Sequence, residues 1–256
     1  MPLPVSIAII TKNEEQRLAS CLESVAGKVL EIVVVDSGSS DRTLAIAGRF
    51  GARIFSHPWQ GFGCQKQFAI DQCTSPWVLV LDADERLPEE AIAAIARELD
   101  APAHAAYAFP RKNIVNGRWI RHGGWWPDRV VRLFQRGRGR MSTAPVHERL
   151  LIDGSTGVID CPILHFSVLS LSQTLAKIDQ YSSIGAAELA AAGRSTTIFA
   201  AFFRGLWAFI HGYLLRLGLL DGEQGLLIAV TDAMNTFCKY SKLREKTWQQ
   251  STAGQP

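Results

Sequence analysis

Three segments, residues 5–10, 31–35 and 77–81, are apolar at nearly every position, and polar residues begin abruptly after each of them. A strand with no polar face must be covered on both sides, which is the situation of strands in a parallel sheet flanked by helices. Between the first two, Leu18, Cys21, Leu22 and Val25 recur at helical spacing within 15–25, so the reading is β-α-β. The cap-forming residues of 36–41 then precede a second helix at 43–50 and a short third strand at 52–55. After 77–81 a helix is expected over 88–99. Pro88, Glu89 and Glu90 sit in its first turn, where a missing N–H costs nothing and negative charge suits the helix dipole. The predicted fold class is α/β, a Rossmann-like, mostly parallel sheet with helices on both faces.

Beyond residue 101 the pattern changes. Shorter strands are expected at 107–110, 129–134 and 149–152, separated by loops rich in aromatic residues, glycine and arginine. From 169 the chain reads as helical, amphipathic over 171–192 and then strongly apolar over 197–220, with Arg204, His211 and Arg216 inside that stretch. A lone membrane span tolerates such residues poorly. A helix lying in the membrane interface accommodates them at headgroup level, and burial against the rest of the protein or in a homo-oligomer interface is the alternative. The expected division is a domain at 1–168 with halves 1–100 and 101–168, a helical region at 169–248, and a disordered tail at 249–256.

A net charge of +3, from 27 basic and 24 acidic residues, is too balanced for a chain whose partner is nucleic acid. Cys21, Cys64, Cys73, Cys161 and Cys238 show no paired CxxC spacing, so a reducing cytoplasm is expected, without disulfides or structural zinc. The first residues run straight into an apolar strand without a basic region or cleavage site, and no secretory signal is expected.

In an open α/β sheet, ligands bind beyond the carboxyl ends of the strands, and each polar cluster falls at such an end. Thr11, Asn13 and Glu14 follow the first strand, and Asp36 the second. Asp82 and Asp84 follow the fourth, at a spacing that in extended chain would set both carboxylates on one side to share a hard cation with phosphate. The plainer readings are an Asx turn at Asp36 and an acidic strand-to-helix turn at 82–85. Neither a GxGxxG fingerprint nor a P-loop lysine motif occurs, which argues against dinucleotide oxidoreductases and P-loop NTPases.

The blocks VSIAIITKNEE (5–15), EIVVVDSGSSDRT (31–43) and WVLVLDADE (77–85), in this order and spacing, resemble the family 2 glycosyltransferases. The later WWPDRVVRLF (125–134) and PVHE (145–148) are similar to the bacterial lipopolysaccharide-core β-glucosyltransferase subgroup. The resemblance implies a GT-A fold and inverting transfer of a hexose, glucose in that subgroup, from a nucleotide diphosphate sugar, usually UDP-linked. The acceptor would be a glycolipid such as the lipopolysaccharide inner core, reached from the cytoplasmic face of the inner membrane by a peripheral enzyme drawn to anionic lipid. It also implies that Thr11 and Asp36 hold the nucleoside, with Asn13 and Glu14 beside them, while Asp82 and Asp84 hold Mg²⁺ or Mn²⁺ on the diphosphate.

Lys66 would add positive charge at the leaving group, although in isolation it reads as an exposed helix lysine. Displacement with inversion needs a base on the acceptor side, for which Glu148 is the first candidate and Asp128 the second. His147 is a candidate metal or phosphate contact. Trp125 and Trp126 are candidates for a stacking floor under an acceptor sugar, with Arg129 and Arg132 meeting its phosphates; a core tryptophan pair with surface arginines is the alternative. Competing functions are a family 2 transferase acting on a polyprenyl-linked, capsule or protein acceptor, and a non-catalytic nucleotide-binding module.

Overall fold

The computed structural model describes residues 1–142, 149–167 and 170–253. In chain order the elements are β1 (Leu3–Thr11), α1 (Leu18–Val25), β2 (Val29–Asp36), α2 (Thr43–Arg49), β3 (Arg53–Ser56), α3 (Phe62–Asp71), β4 (Trp77–Val80), β5 (Glu85–Arg86) and α4 (Glu89–Asp100). They continue with β6 (Ala106–Val115), β7 (Arg118–Trp119), β8 (Asp128–Gln135), β9 (Gly139–Met141), β10 (Leu150–Ile152), β11 (Thr156–Val158) and β12 (Ile163–Ser167). The chain ends in α5 (Leu171–Ala191), α6 (Ile198–Phe209) and α7 (Gly222–Ala253). Two compact units result: residues 1–112 with 127–166, and 113–126 with the helices from 167 onward.

In the first unit the sheet runs in the order β3-β2-β1-β4-β8-β6-β12-β5. β3, β2, β1 and β4 are parallel, as the doubly apolar segments require. β8 then joins β4 antiparallel, and β6 joins β8 likewise. Alternation decides which residues meet which helices. Ile7, Ile9, Ile32, Val34 and Leu79 point into one cluster with Leu18 and Leu22 of α1, Ile46 of α2, and Ala91 and Ile95 of α4. Ala8, Val33, Val35, Val78 and Val80 point into the opposite cluster with Ala69 and Ile70 of α3. Both faces of the central strands are therefore buried. Strand order reverses between β1 and β4, so the loops after these strands diverge and leave a crevice at their carboxyl ends.

The sheet corrects one expectation. Residues 82–84 are not extended chain: Glu85 N–H donates to the Asp82 carbonyl at 2.9 Å, closing a turn before β5. The two aspartates consequently do not share one side of a strand.

In the second unit, Asn116 and Gly117 both have positive φ, 47° and 82°, as a tight hairpin turn between Asn113–Val115 and β7 demands. Asp221, 3% exposed, accepts from the backbone N–H groups of Arg121 and His122. Gly205 of α6 lies so close to α7 that a Cβ there would sit 3.1 Å from the Ala233 carbonyl. After α6 the helix continues as a π-helical stretch, Ile210–Leu215, followed by a 3-10 turn at Gly218–Asp221. α7 runs on to Ala253, beyond the point near 249 where the sequence suggests a tail.

Candidate functional site

At the ends of β1 and β2 the two loops are knitted side chain to backbone. Asn13 N–H donates to Ser39 Oγ (2.8 Å), Ser40 N–H to Asn13 Oδ1 (2.9 Å), Glu14 N–H to Thr43 Oγ1 (2.8 Å) and Glu15 N–H to Asp41 (3.1 Å). Asn13 adopts the left-handed conformation, φ 55°, which asparagine tolerates better than most residues. Asp36 is 2% exposed. One of its oxygens accepts from Thr11 Oγ1 (3.0 Å) and Ser39 Oγ (2.5 Å), the other from the N–H groups of Gly38 (2.8 Å) and Ser39 (2.7 Å). This is the Asx turn that the sequence allowed, with all four lone-pair positions of the carboxylate used. Glu14 is half-buried; burial raises its carboxyl pKa, Arg17 opposes the shift and the Asp84 charge adds to it.

The end of β4 holds a denser network. Asp82 presents one oxygen to Lys66 Nζ at 3.0 Å and the other to Arg132 at 2.6 Å. Arg132 also reaches Glu85 at 2.5 Å, and Glu85 in turn accepts from the Asp82 N–H at 3.0 Å. Glu85 is fully buried and Arg132 is 7% exposed. Burial opposes ionisation of Asp82, but the charges of Arg132 and Lys66 outweigh it and hold the carboxyl far below its usual range. For Glu85 burial wins and the pKa is raised, with Arg132 opposing. Lys66 is thus no exposed helix lysine: α3 packs it under the sheet end, 9% exposed, against Asp82.

Asp84 points elsewhere, to His165 Nε2 at 3.4 Å. Antiparallel pairing of β12 with β5 puts His165 opposite Glu85, which delivers the imidazole to the turn. For a divalent cation, Asp84 and His165 form a fitting donor pair. Asp82 fits less well, because a third positive charge would face Lys66 and Arg132 on the same carboxylate. Among the described residues no three such ligands converge.

Beside Asp82 lies a cavity of about 480 Å³. Its polar lining is Lys66, Asp82, Arg111, Arg129, Arg132 and Arg149, and its apolar lining is Val80, Val130, Val131, Met141 and Leu150.

This arrangement, two loops hydrogen-bonded together at the ends of β1 and β2 and cations around a carboxylate at the end of β4, agrees with a match to the model of glycosyl transferase family 2 over residues 6–155. The chain belongs to glycosyl transferase family 2. It is 32% identical to the lipopolysaccharide core biosynthesis glycosyltransferase LpsC of Rhizobium meliloti (strain 1021), covering 95% of this chain and 93% of that protein. An uncharacterized glycosyltransferase of Rickettsia typhi is 28% identical over 94% of this chain and 87% of its own. Among solved structures, S. aureus TarS 1-349 in complex with UDP-GlcNAc is similar over 98% of this chain and 92% of that one, at 15% identity and a TM-score of 0.48.

This family 2 glycosyltransferase places the remaining sequence candidates as follows. Glu148 and His147 lie outside the described residues. Asp128 is gripped by Arg111 through Nε (2.8 Å) and a terminal nitrogen (2.6 Å). Arg132, expected to meet acceptor phosphate, instead spends its guanidinium on Asp82 and Glu85. Arg129 is exposed on the cavity wall. Trp125 and Trp126 belong to the second unit, where Trp125 packs on Val115, Ile120 and Ile228, and Trp126 meets Trp119 edge-on at 5.3 Å. Both tryptophans are partly buried. Sequence reasoning missed Glu85, Arg111 and His165. A histidine in a predicted strand carries no local signal of its partner, and only Glu85, next to Asp84 in the LDADE block, was there to be weighed.

Proposed function

We propose that this glycosyltransferase moves a hexose, glucose in the first instance, from a UDP-sugar to a lipopolysaccharide-core acceptor with inversion at the anomeric carbon. The observation that carries the reading is the Asp82 network, in which Lys66 and Arg132 converge on one carboxylate at the strand end beside an electropositive cavity. Similarity to the Rhizobium meliloti core glycosyltransferase along nearly the full length of both chains supports the choice of acceptor.

In this reading Thr11, Asn13 and Asp36 bind the nucleoside. The ribose or base takes the place of Ser39 Oγ, the hydroxyl on a flanking loop, as an Asp36 partner. Lys66 is held by Asp82 where developing charge on the departing diphosphate meets it. Asp84 and His165 would hold Mg²⁺ or Mn²⁺, which when bound stabilises the leaving diphosphate as a Lewis acid. Of the two acceptor-side carboxylates, Asp128 already has Oδ2 engaged by two guanidinium N–H groups of Arg111. We therefore assign proton removal from the acceptor hydroxyl to Glu148.

Attachment to the cytoplasmic face of the inner membrane is part of the proposal. Ile198–Leu215 is long and apolar enough to cross a bilayer and only 11% of it is buried. Phe199, Phe203 and Trp207 are 74%, 63% and 59% exposed along α6. Arg204 lies over the Tyr240 ring at 4.2 Å, on the side turned to α7. An apolar face with cations at its margin suits a helix lying in the interface. The deciding experiment is a turnover panel of nucleotide sugars with and without Mn²⁺, read by release of free nucleotide diphosphate. Absence of release with every donor would overturn the catalytic reading.

A further inference from the structure

The cavity beside Asp82 is lined by more cations than the protein's own carboxylates match. Three of its cations are matched within the protein: Lys66 by Asp82 at 3.0 Å, Arg132 by Asp82 and Glu85, and Arg111 by Asp128 at 2.6 Å. Two are not. Arg129, on β8, and Arg149, the residue before β10, make no ion pair among the described residues, and both are exposed residues of the same cavity lining. None of the nucleoside-loop residues, from Thr11 to Glu14 or from Asp36 to Asp41, lines this space.

Guanidinium groups on a concave wall focus positive potential and bind carboxylate or phosphate through two parallel N–H bonds. The rest of the lining is apolar: Val80, Val130, Val131, Met141 and Leu150. Such walls offer nothing to a free inorganic ion but suit the C–H faces of a pyranose. At about 480 Å³ the cavity is within the usual range for small-ligand sites.

We propose that this cavity is a subsite for a sugar bearing an anionic group, phosphate or carboxylate, and that Arg129 and Arg149 are the residues that select it. The proposal rests on the glycosyltransferase reading above and narrows it: the saccharide that fills the cavity carries a negative charge.

The test is calorimetric titration of the full chain with glucose 6-phosphate, glucuronic acid, glucose and inorganic phosphate, in the absence and presence of saturating UDP. At least one anionic sugar should bind ten-fold or more tighter than glucose and than inorganic phosphate, and should do so with UDP present. Which of the two binds better assigns the anion as phosphate or carboxylate. Arg129→Gln/Arg149→Gln should reduce that ligand to the level of glucose and leave UDP affinity within about two-fold. Equal binding of glucose, equal binding of inorganic phosphate, loss of the anionic sugar on adding UDP, or an unaffected double variant would each overturn the subsite. Failure of UDP itself to bind would instead count against the donor reading, while the titrations without UDP still decide the subsite.

Discussion

Replacing Arg132 by methionine tests the site network most directly. The guanidinium is the shared partner of Asp82 (2.6 Å) and Glu85 (2.5 Å), and Glu85 has no exposure to water. Once it is gone, Arg111 remains at 3.8 Å from Glu85, itself engaged with Asp128. Removing one partner of a buried ion pair costs about 3–5 kcal/mol, because the other charge is left without compensation. At about 2–4 °C per kcal/mol for a chain of this size, the melting temperature should fall by about 10 °C. The loss should depend on pH. Without Arg132 the Glu85 pKa rises further above its unfolded value of about 4.3. Stability from a raised carboxyl is fully present below the unfolded pKa and is lost as pH rises through the folded one. The variant should therefore lie closer to wild type near pH 5 than near pH 8, and Arg132→Met/Glu85→Gln should recover part of the deficit. Scanning calorimetry at the two pH values measures all of this. A drop under about 2 °C, or one of equal size at both pH values, would refute the argument that this network is a buried, charge-balanced unit.

Asp84→Asn should abolish the gain in UDP affinity that Mn²⁺ confers, together with turnover; an undiminished Mn²⁺ effect would remove Asp84 from the cation site. Glu148→Gln should lower turnover by about 10²-fold or more with UDP affinity unchanged, whereas finding that signature in Asp128→Asn would move the base to Asp128. Phe203→Glu/Trp207→Glu should lose co-sedimentation with vesicles containing anionic lipid without loss of soluble turnover, and undiminished sedimentation would show that α6 is not the membrane contact.

Much of the first unit was legible because its signals are local. Doubly apolar strands such as 31–35 predict helices on both sheet faces from composition alone, and the structure supplies α1, α2 and α4 on one face and α3 on the other. Asp36 followed by Ser-Gly-Ser-Ser fixes its own turn, since its hydrogen-bond donors lie two and three residues away. The position of Asp82 and Asp84 at a strand end follows from the same apolar run.

What the chain could not announce locally is where its charges are spent. Glu85 and Arg132 are 47 residues apart, Asp82 and Arg132 50, and a charged residue read in its own neighbourhood looks the same whether it faces water or a buried counter-ion. Lys66 read as a surface lysine until α3 packed it against Asp82, and His165 was invisible until β12 paired with β5. Residues 113–126 likewise joined the helices from 167 onward only through long-range bonds such as those from Arg121 and His122 to Asp221. Period and turn chemistry are written in adjacent residues, so sequence determines them. Compensation of buried charge is a property of groups that meet only on folding, so only the tertiary structure decides it.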